Sequence, residues 1–539
     1  MEKTKLNLRN LALPFVLYIL VGIVGVLNLF YPTISSGFTK FQPDLVDSYF
    51  NAYVLEHGFK SFWDSGYSAS FYSPTFFYPT KLLTTYSDNL LGTAPIYWVL
   101  RIFFDWVMSF ELWEISVTVL TYFAFIVWLR YLKIRPSIAA ICAYVFVFGI
   151  SRVMQLNHPQ LMPQLFTPLA FIFLTRFLLK PNLKDINIAA LFIFLQTLAG
   201  YYIGWFLIFS LFFLILLSPI FLRAELKEVF QFISTNRRRV IITILFWIIA
   251  FLLFWSPYIF TSMSYRHFWK WELISNNLIS WQSYFVVPES TLWYAFFGVL
   301  PTPIKEASDK FLFGGAFLFL AFAVCVVHLI KPSSQAFNFR LAGVFGAVGL
   351  LLLIITAKIN EYTLWYLIYY GFPGTDGIRY VSRIWIVAYF YLFTCSAIVL
   401  NNYVENHLKL LSFKIFYILI FLFFITEQLV IHKPSVSKEL AVVPESRLEE
   451  ILKVNNDCDI FYNETDVGQK FYIAQHINAM WAAMNLNIPT INGYTGISKY
   501  NPGKKLNKDE IIKILGEHKD GQVCIFSSEN GNYVLKEKF

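Results

Sequence analysis

The chain has 539 residues, of which 57% are hydrophobic and 14% charged, with a mean hydropathy of +0.55 and a formal net charge of +9. Soluble domains carry nearer a quarter charged residues, so this composition excludes an ordinary soluble protein and describes a polytopic membrane one. The positive charge does not point to nucleic acid: Lys and Arg gather in short segments between apolar runs, and no stripe of interleaved Arg and aromatic residues lies outside those runs.

Residues 11–30 form a first apolar run of about 20 residues, enough to cross a ~30 Å hydrocarbon core. The run lacks a small-residue cleavage site and is longer than a signal-peptide core, so it is expected to be a retained helix. Further apolar runs centre near residues 121, 146, 170, 193, 212, 249, 320, 348, 391 and 422, which predicts eleven spans. Residues 90–110 contain Arg101 and Asp105 and are amphipathic, so they are expected to lie along the outer membrane surface rather than cross.

The basic residues fall in six short segments on alternate sides of these spans, and the positive-inside rule assigns those segments to the cytoplasm. The expected orientation is N-terminus in, C-terminus out. Every long segment then faces outward: residues 32–112, 259–310, 357–382 and the tail from 433. The expected fold is an α-helical transmembrane body over 1–432 with a small extracytoplasmic α/β domain over 433–539. In that tail the strand-like runs 458–462 and 523–527 flank a helical stretch near Gln469–Met484.

Of five cysteines, Cys142, Cys325 and Cys395 lie within spans as small apolar fillers. Cys458 and Cys524 fall in the tail, where a bridge and two separate buried thiols are both open readings. No CxxC or His-rich spacing marks a metal site.

The candidate chemistry begins just beyond the first span. Asp44 and Asp47 are three residues apart and would share a face on a helical turn. A carboxylate at a membrane face can take a proton from an acceptor hydroxyl, although Asp is equally a favoured N-cap for a helix starting near Ser48. Asp88 is a second candidate acid, with capping of Leu90 onward as its structural alternative. The aromatic tract SFYSPTFFYPTK between them suits either sugar stacking or an interfacial belt. His158 and Gln160 sit in a tight turn between spans, where the histidine can act as a base, bind phosphate or cap the hairpin. Gly200-Tyr201-Tyr202 marks the next turn, a place for close approach of backbone to ligand. Arg379 and Arg383, four residues apart at the mouth of a span, suit a lipid phosphate through bidentate hydrogen bonds, or snorkel to headgroups. Arg266 is a weaker version of the same idea. Asn492-Gly493 is a turn signal, and Asn492 and Tyr494 are candidate ligand contacts.

The order DSYFNAYVLEHG, FWDSGYSASFYSPTFFYPTK, YSDNLLGTAPIY, NHPQL, GYY, IRYVSR and NGYTG is similar, over most of the chain, to a group of large bacterial polytopic membrane proteins. Through them it resembles the GT-C superfamily of integral membrane glycosyltransferases. The resemblance implies a polyprenyl-phosphate-linked sugar as donor and inverting transfer at the outer face of the bacterial inner membrane, with an acid in the first external loop as base. The implied acceptor is a surface glycan such as lipopolysaccharide or O-antigen, or its lipid-linked precursor. Asp47 is the best match to the first-loop acid and Asp44 the next. The family often shows adjacent acids or Asp-x-Asp, whereas this chain has Asp-x-x-Asp. That departure leaves open which residue is the base, and whether a divalent metal (Mg or Mn) takes part. Arg379 or Arg383 fits the arginine that would hold the donor phosphate.

Two other classes stay open. A lipid-linked glycan flippase or transporter is disfavoured by the scarcity of mid-span charge and the lack of paired Gly/Pro-broken helices. A non-catalytic glycan-assembly protein would keep the same motifs. Acyl transfer is a weaker enzymatic alternative, with His158 as its base.

Overall fold

The computed structural model describes residues 8–41, 44–265, 269–289, 291–294, 311–332, 334–408, 410–431, 435–465, 472–496, 504–518, 521–529 and 532–539. Eight helices among them are long and apolar enough to cross a membrane: Leu13–Ser35, Trp106–Tyr131, Pro136–Val153, Pro159–Leu179, Tyr201–Phe221, Arg237–Ser264, Phe337–Thr356 and Val381–His407. The other three expected centres fall in shorter helices, Leu183–Ala199, Gly315–Ile330 and Leu411–Thr426, of 17, 16 and 16 residues. At 1.5 Å per residue these measure about 24–26 Å, below the ~30 Å core. Length and composition therefore support a polytopic helical protein with eight candidate spans against the eleven expected.

The bundle is organised around Trp385–His407, in which every residue from Trp385 to Ile398 is buried. Enclosed on every face over that stretch, this helix takes the centre of the bundle. Phe337–Thr356 packs along it at close range because it presents glycine there: a Cβ at Gly349 would come within 2.8 Å of the Leu392 side chain. The helix Arg237–Tyr265 is the opposite case, with Ile241, Leu245, Phe246 and Leu253 all exposed. Such a continuous apolar exterior suits a lipid-facing element.

Residues 90–110 do not form one surface helix. A short helix, Ala94–Phe103, ends at Phe104, and Asp105 then accepts the backbone N–H of Met108 at 2.8 Å as the N-cap of the long helix Trp106–Tyr131. The short helix is amphipathic as expected, with Tyr97 buried and Val99, Ile102 and Phe103 exposed. Its Arg101 pairs with Glu56 at 2.9 Å, and the Tyr97 hydroxyl donates to the same carboxylate at 2.7 Å.

In the C-terminal region, strand Ile460–Glu464 runs parallel to Val523–Glu529, which pairs antiparallel with Asn532–Lys538. Helices Glu439–Val454 and Tyr472–Leu486 pack on this sheet around Phe461, Ala479, Ala483 and Phe526. Helix Lys508–Leu515 starts from an Asn507/Glu510 capping box. The expected start of the central helix, Gln469, lies outside the described residues. Cys458 sits two residues before its strand rather than in it, and is joined to Cys524 in a disulfide with Cα atoms 5.7 Å apart. Cys142, Cys325 and Cys395 are buried and free.

This region is tied to the first long loop. Trp481 stacks on Tyr49 with centroids 5.7 Å apart and meets Trp106 at 4.1 Å, and the Tyr49 hydroxyl bonds Glu445 at 2.9 Å. Backbone N–H groups of Phe77 and Tyr78 donate to the carbonyls of Asn492 and Thr490 at 2.9 and 3.0 Å.

Candidate functional site

At one end of the bundle a cavity of about 670 Å³ is lined by parts of the first long loop, the turns at 158–160 and 201–202, the end of helix 237–265, residues 374–383, and Tyr494 with Gly496. These are the segments, or the helix ends beside them, that the charge pattern assigns to one side.

Asp47 opens the helix Asp47–Trp63, and both its oxygens are engaged. Oδ2 is 2.7 Å from His158 Nδ1, and Oδ1 accepts the Tyr494 hydroxyl at 2.7 Å. The side chain keeps 23% exposure into the cavity. Burial alone would raise its pKa, but the hydrogen bond and charge of His158, the Tyr494 hydroxyl and the Arg383 charge together outweigh it and hold the carboxyl below its ordinary value. Asp47 is therefore an anion across the physiological range. Tyr494 is shifted the other way: burial first, and then the Asp47 charge, push its pKa far up, so it remains a donor.

Asp44 does not line the cavity. Its Oδ1 accepts at 3.0 Å the backbone N–H of Val46, the N-cap residue of helix Asp47–Trp63, a local turn bond just before the helix, whereas Asp47 lines the cavity. Burial, partly offset by that N–H and reinforced by the Asp47 charge, raises the Asp44 pKa.

The His158 turn is anchored from both ends. Gln160 Oε1 accepts from Asn51 Nδ2 at 3.0 Å, and Asn51 donates also to the Asp47 carbonyl at 2.7 Å. Beneath the turn the buried Arg152 donates to the carbonyls of Leu161 at 2.7 Å and Phe146 at 3.2 Å, and to Gln164. Its guanidinium lies over the rings of Phe146 and Trp385.

Asp88 caps a helix, though not the one beginning near Leu90. Its Oδ1 accepts the backbone N–H of Tyr201, the first residue of Tyr201–Phe221, while Asn89 takes the Leu91 N–H at 3.0 Å. The carboxylate thus meets the positive end of a long helix. Its other oxygen makes no hydrogen bond among the described residues. Burial raises the Asp88 pKa to about 6, against the lowering effects of the Tyr201 N–H and Arg383, with Asp47 adding to the rise. Gly200 is required by protein packing rather than by ligand: a Cβ there would lie 2.7 Å from the Gln160 carbonyl oxygen.

Arg379 and Arg383 share one ring. Tyr380 lies between them, 4.4 Å from the first guanidinium and 4.9 Å from the second; Trp269 covers Arg379 at 5.0 Å and Tyr202 covers Arg383 at 4.9 Å. The Tyr202 hydroxyl also accepts the Arg379 backbone N–H at 3.2 Å. Arg379 has no carboxylate partner among the described residues. Stacking orders a guanidinium while leaving its edge donors for an anion.

Of the candidates, Asp47, Asp88, His158, Gln160, Tyr201, Tyr202, Arg379, Arg383 and Tyr494 line the one cavity. Asn492 does not. It is fully buried, with its side chain on the Asn463 N–H and C=O at 2.7 and 2.8 Å and on His476 at 3.1 Å, so it shapes the turn that presents Tyr494. Arg266 lies outside the described residues. Sequence reasoning missed Asn51, Trp255, Tyr258, Trp269, Asp376 and Tyr380. Tyr380 had a signal, standing between the two arginines; Trp255 and Tyr258 read as ordinary aromatics at the end of an apolar helix.

No group of three or more His, Cys, Asp and Glu side chains converges as metal ligands among the described residues. Both Asp47 oxygens are already taken by His158 and Tyr494, and no step of the proposed reaction passes through a metal. No protein-family profile matches the chain, and no curated protein sequence matches it.

Proposed function

We propose that the protein is an inverting membrane glycosyltransferase. On this reading it moves a sugar from a polyprenyl-phosphate donor to a surface glycan, or to that glycan's lipid-linked precursor, at the outer face of the bacterial cytoplasmic membrane. The three shorter apolar helices then complete eleven crossings, and the cavity and C-terminal region face outward.

One observation carries the reading: two carboxylates, Asp47 and Asp88, and two ring-stacked arginines, Arg379 and Arg383, line the same cavity. Glycosyl transfer from a lipid phosphate needs both kinds of group. A carboxylate receives the acceptor proton, and fixed cations stabilise the charge that grows on the departing phosphate. The exposed apolar helix 237–265 forms one wall, where a lipid chain can approach from the side while Trp255 and Tyr258 meet the sugar.

The test is mass spectrometry of extractable surface glycans from cells with the gene intact, deleted, or carrying Arg379→Ala with Arg383→Ala. Loss of a hexose- or pentose-sized mass in both altered strains, at normal protein level, supports transfer. Unchanged glycans on deletion refute it and return the flippase or assembly readings.

A further inference from the structure

Resting on that reading, we infer that Asp88, not Asp47, accepts the proton of the acceptor hydroxyl, and that Asp47 serves as a fixed anion that positions His158. The two carboxylates line one cavity in different states of engagement. Asp47 accepts at 2.7 Å on each oxygen, so taking a proton means giving up a strong bond to His158 or Tyr494. Asp88 is pinned through one oxygen by the Tyr201 N–H, while its second oxygen makes no hydrogen bond among the described residues. Such a carboxylate is oriented and still has a site for a proton.

The electrostatics separate the pair in the same sense. The titratable groups that share the cavity with Asp88 are Tyr201 and Tyr202 on helix 201–221, Tyr258 on helix 237–265, Asp376, Arg379, Tyr380 and Arg383 from the 374–383 segment, Tyr86, Tyr494, and Asp47 with His158; of these Arg383 and Asp47 act on its charge. Burial brings Asp88 to about 6, whereas Asp47 is held below its ordinary value. Two acids pushed apart by their surroundings divide the roles of proton acceptor and permanent anion. A base is most effective with its pKa near the working pH. The Asp47 charge also favours the positive charge that develops at the anomeric carbon.

The step balances without a co-reactant. The acceptor oxygen attacks the anomeric carbon while its proton passes to Asp88. The bond from that carbon to the phosphate oxygen breaks, and its electron pair leaves on the polyprenyl phosphate, held by Arg379 and Arg383. Asp88 then returns the proton to water.

The experiment uses the full chain in vesicles containing a polyprenyl-phosphate hexose, with glycan extracted from the deletion strain as acceptor and release of polyprenyl phosphate as readout. Asp88→Asn keeps an oxygen for the Tyr201 N–H, and is expected to lower kcat by about 10²–10⁴-fold with donor KM little changed. The wild-type rate should fall with an acid limb near pH 6. Added formate should restore Asp88→Gly and not Asp47→Gly. Asp88→Asn within tenfold of wild type, or formate rescue of Asp47→Gly instead, overturns the assignment. Infrared titration separates this from failure of the transfer reading. If wild type releases no polyprenyl phosphate, the proposed transfer falls. A carboxyl band titrating near pH 6 that disappears in Asp88→Asn and persists in Asp47→Asn still upholds the division of states, and absence of that band overturns it.

Discussion

Replacing Tyr494 by Phe removes one hydroxyl and keeps the ring, which meets Phe50 edge-on with centroids 5.4 Å apart. The change therefore isolates the 2.7 Å bond to Asp47 Oδ1. A hydrogen bond to an ionised acceptor contributes about 1.5–3 kcal/mol. Asp47 is 23% exposed into the cavity, so water replaces part of the loss and the low end applies, about 1–1.5 kcal/mol. At 1.36 kcal/mol per pKa unit, the Asp47 pKa should rise by about one unit. The sign follows from its depressed folded value: the stabilisation is present above the unfolded carboxylate pKa and is lost as pH falls through the folded one. Thermal unfolding of the full chain in detergent should show the variant less stable than wild type at pH 7. The gap should narrow only as pH falls through the folded pKa, which lies below the ordinary carboxylate value of about 4, and should close once Asp47 is protonated in both proteins. A gap that is the same at every pH, or no gap at pH 7, would refute the view that the Tyr494 hydroxyl stabilises an anionic Asp47.

Asn492→Ala should orphan the buried N–H and C=O of Asn463, costing about 2–5 kcal/mol, and should expose the 490–496 turn to limited proteolysis. Cys458→Ser opens a loop of sequence separation 66, for which the chain-entropy relation gives about 4 kcal/mol; the variant should unfold at one temperature with or without reductant, whereas wild type should not. Glu56→Gln should destabilise by about 2 kcal/mol, below the figure for a fully buried pair because Arg101 is 26% exposed and can reach water. The double variant with Arg101→Met should lose less than the sum of the two singles, a coupling read by a thermodynamic cycle.

Much of the site was legible because its residues break the local pattern. Acids and arginines beside apolar runs stand out, and Asp47, Asp88, Arg379 and Arg383 all reach the cavity. Their partners were not legible. Asp44 and Asp47 offer the same local choice between cap and functional acid, and only packing sends the first to the Val46 N–H and the second to His158. Asp88 looked like a cap for the chain just after it, yet it caps a helix that begins 113 residues later. Asn492 stood in a turn signal as a candidate ligand contact and is instead buried on Asn463.

What the sequence by itself determined is the solvent this chain folds in and the positions of its apolar helices, since hydropathy acts over stretches of about 20 residues and is read without knowing any contact. Even the shortfall from eleven to eight long helices is a matter of where helices end, through caps such as Asn182 before Leu183–Ala199. Tertiary structure alone decided the chemistry of the cavity. The Asp47–Tyr494 bond joins residues 447 apart, and no local periodicity specifies such a pair. It forms because Trp481, Tyr49 and Trp106 bury their rings together and carry the 490–496 turn to the mouth of the bundle.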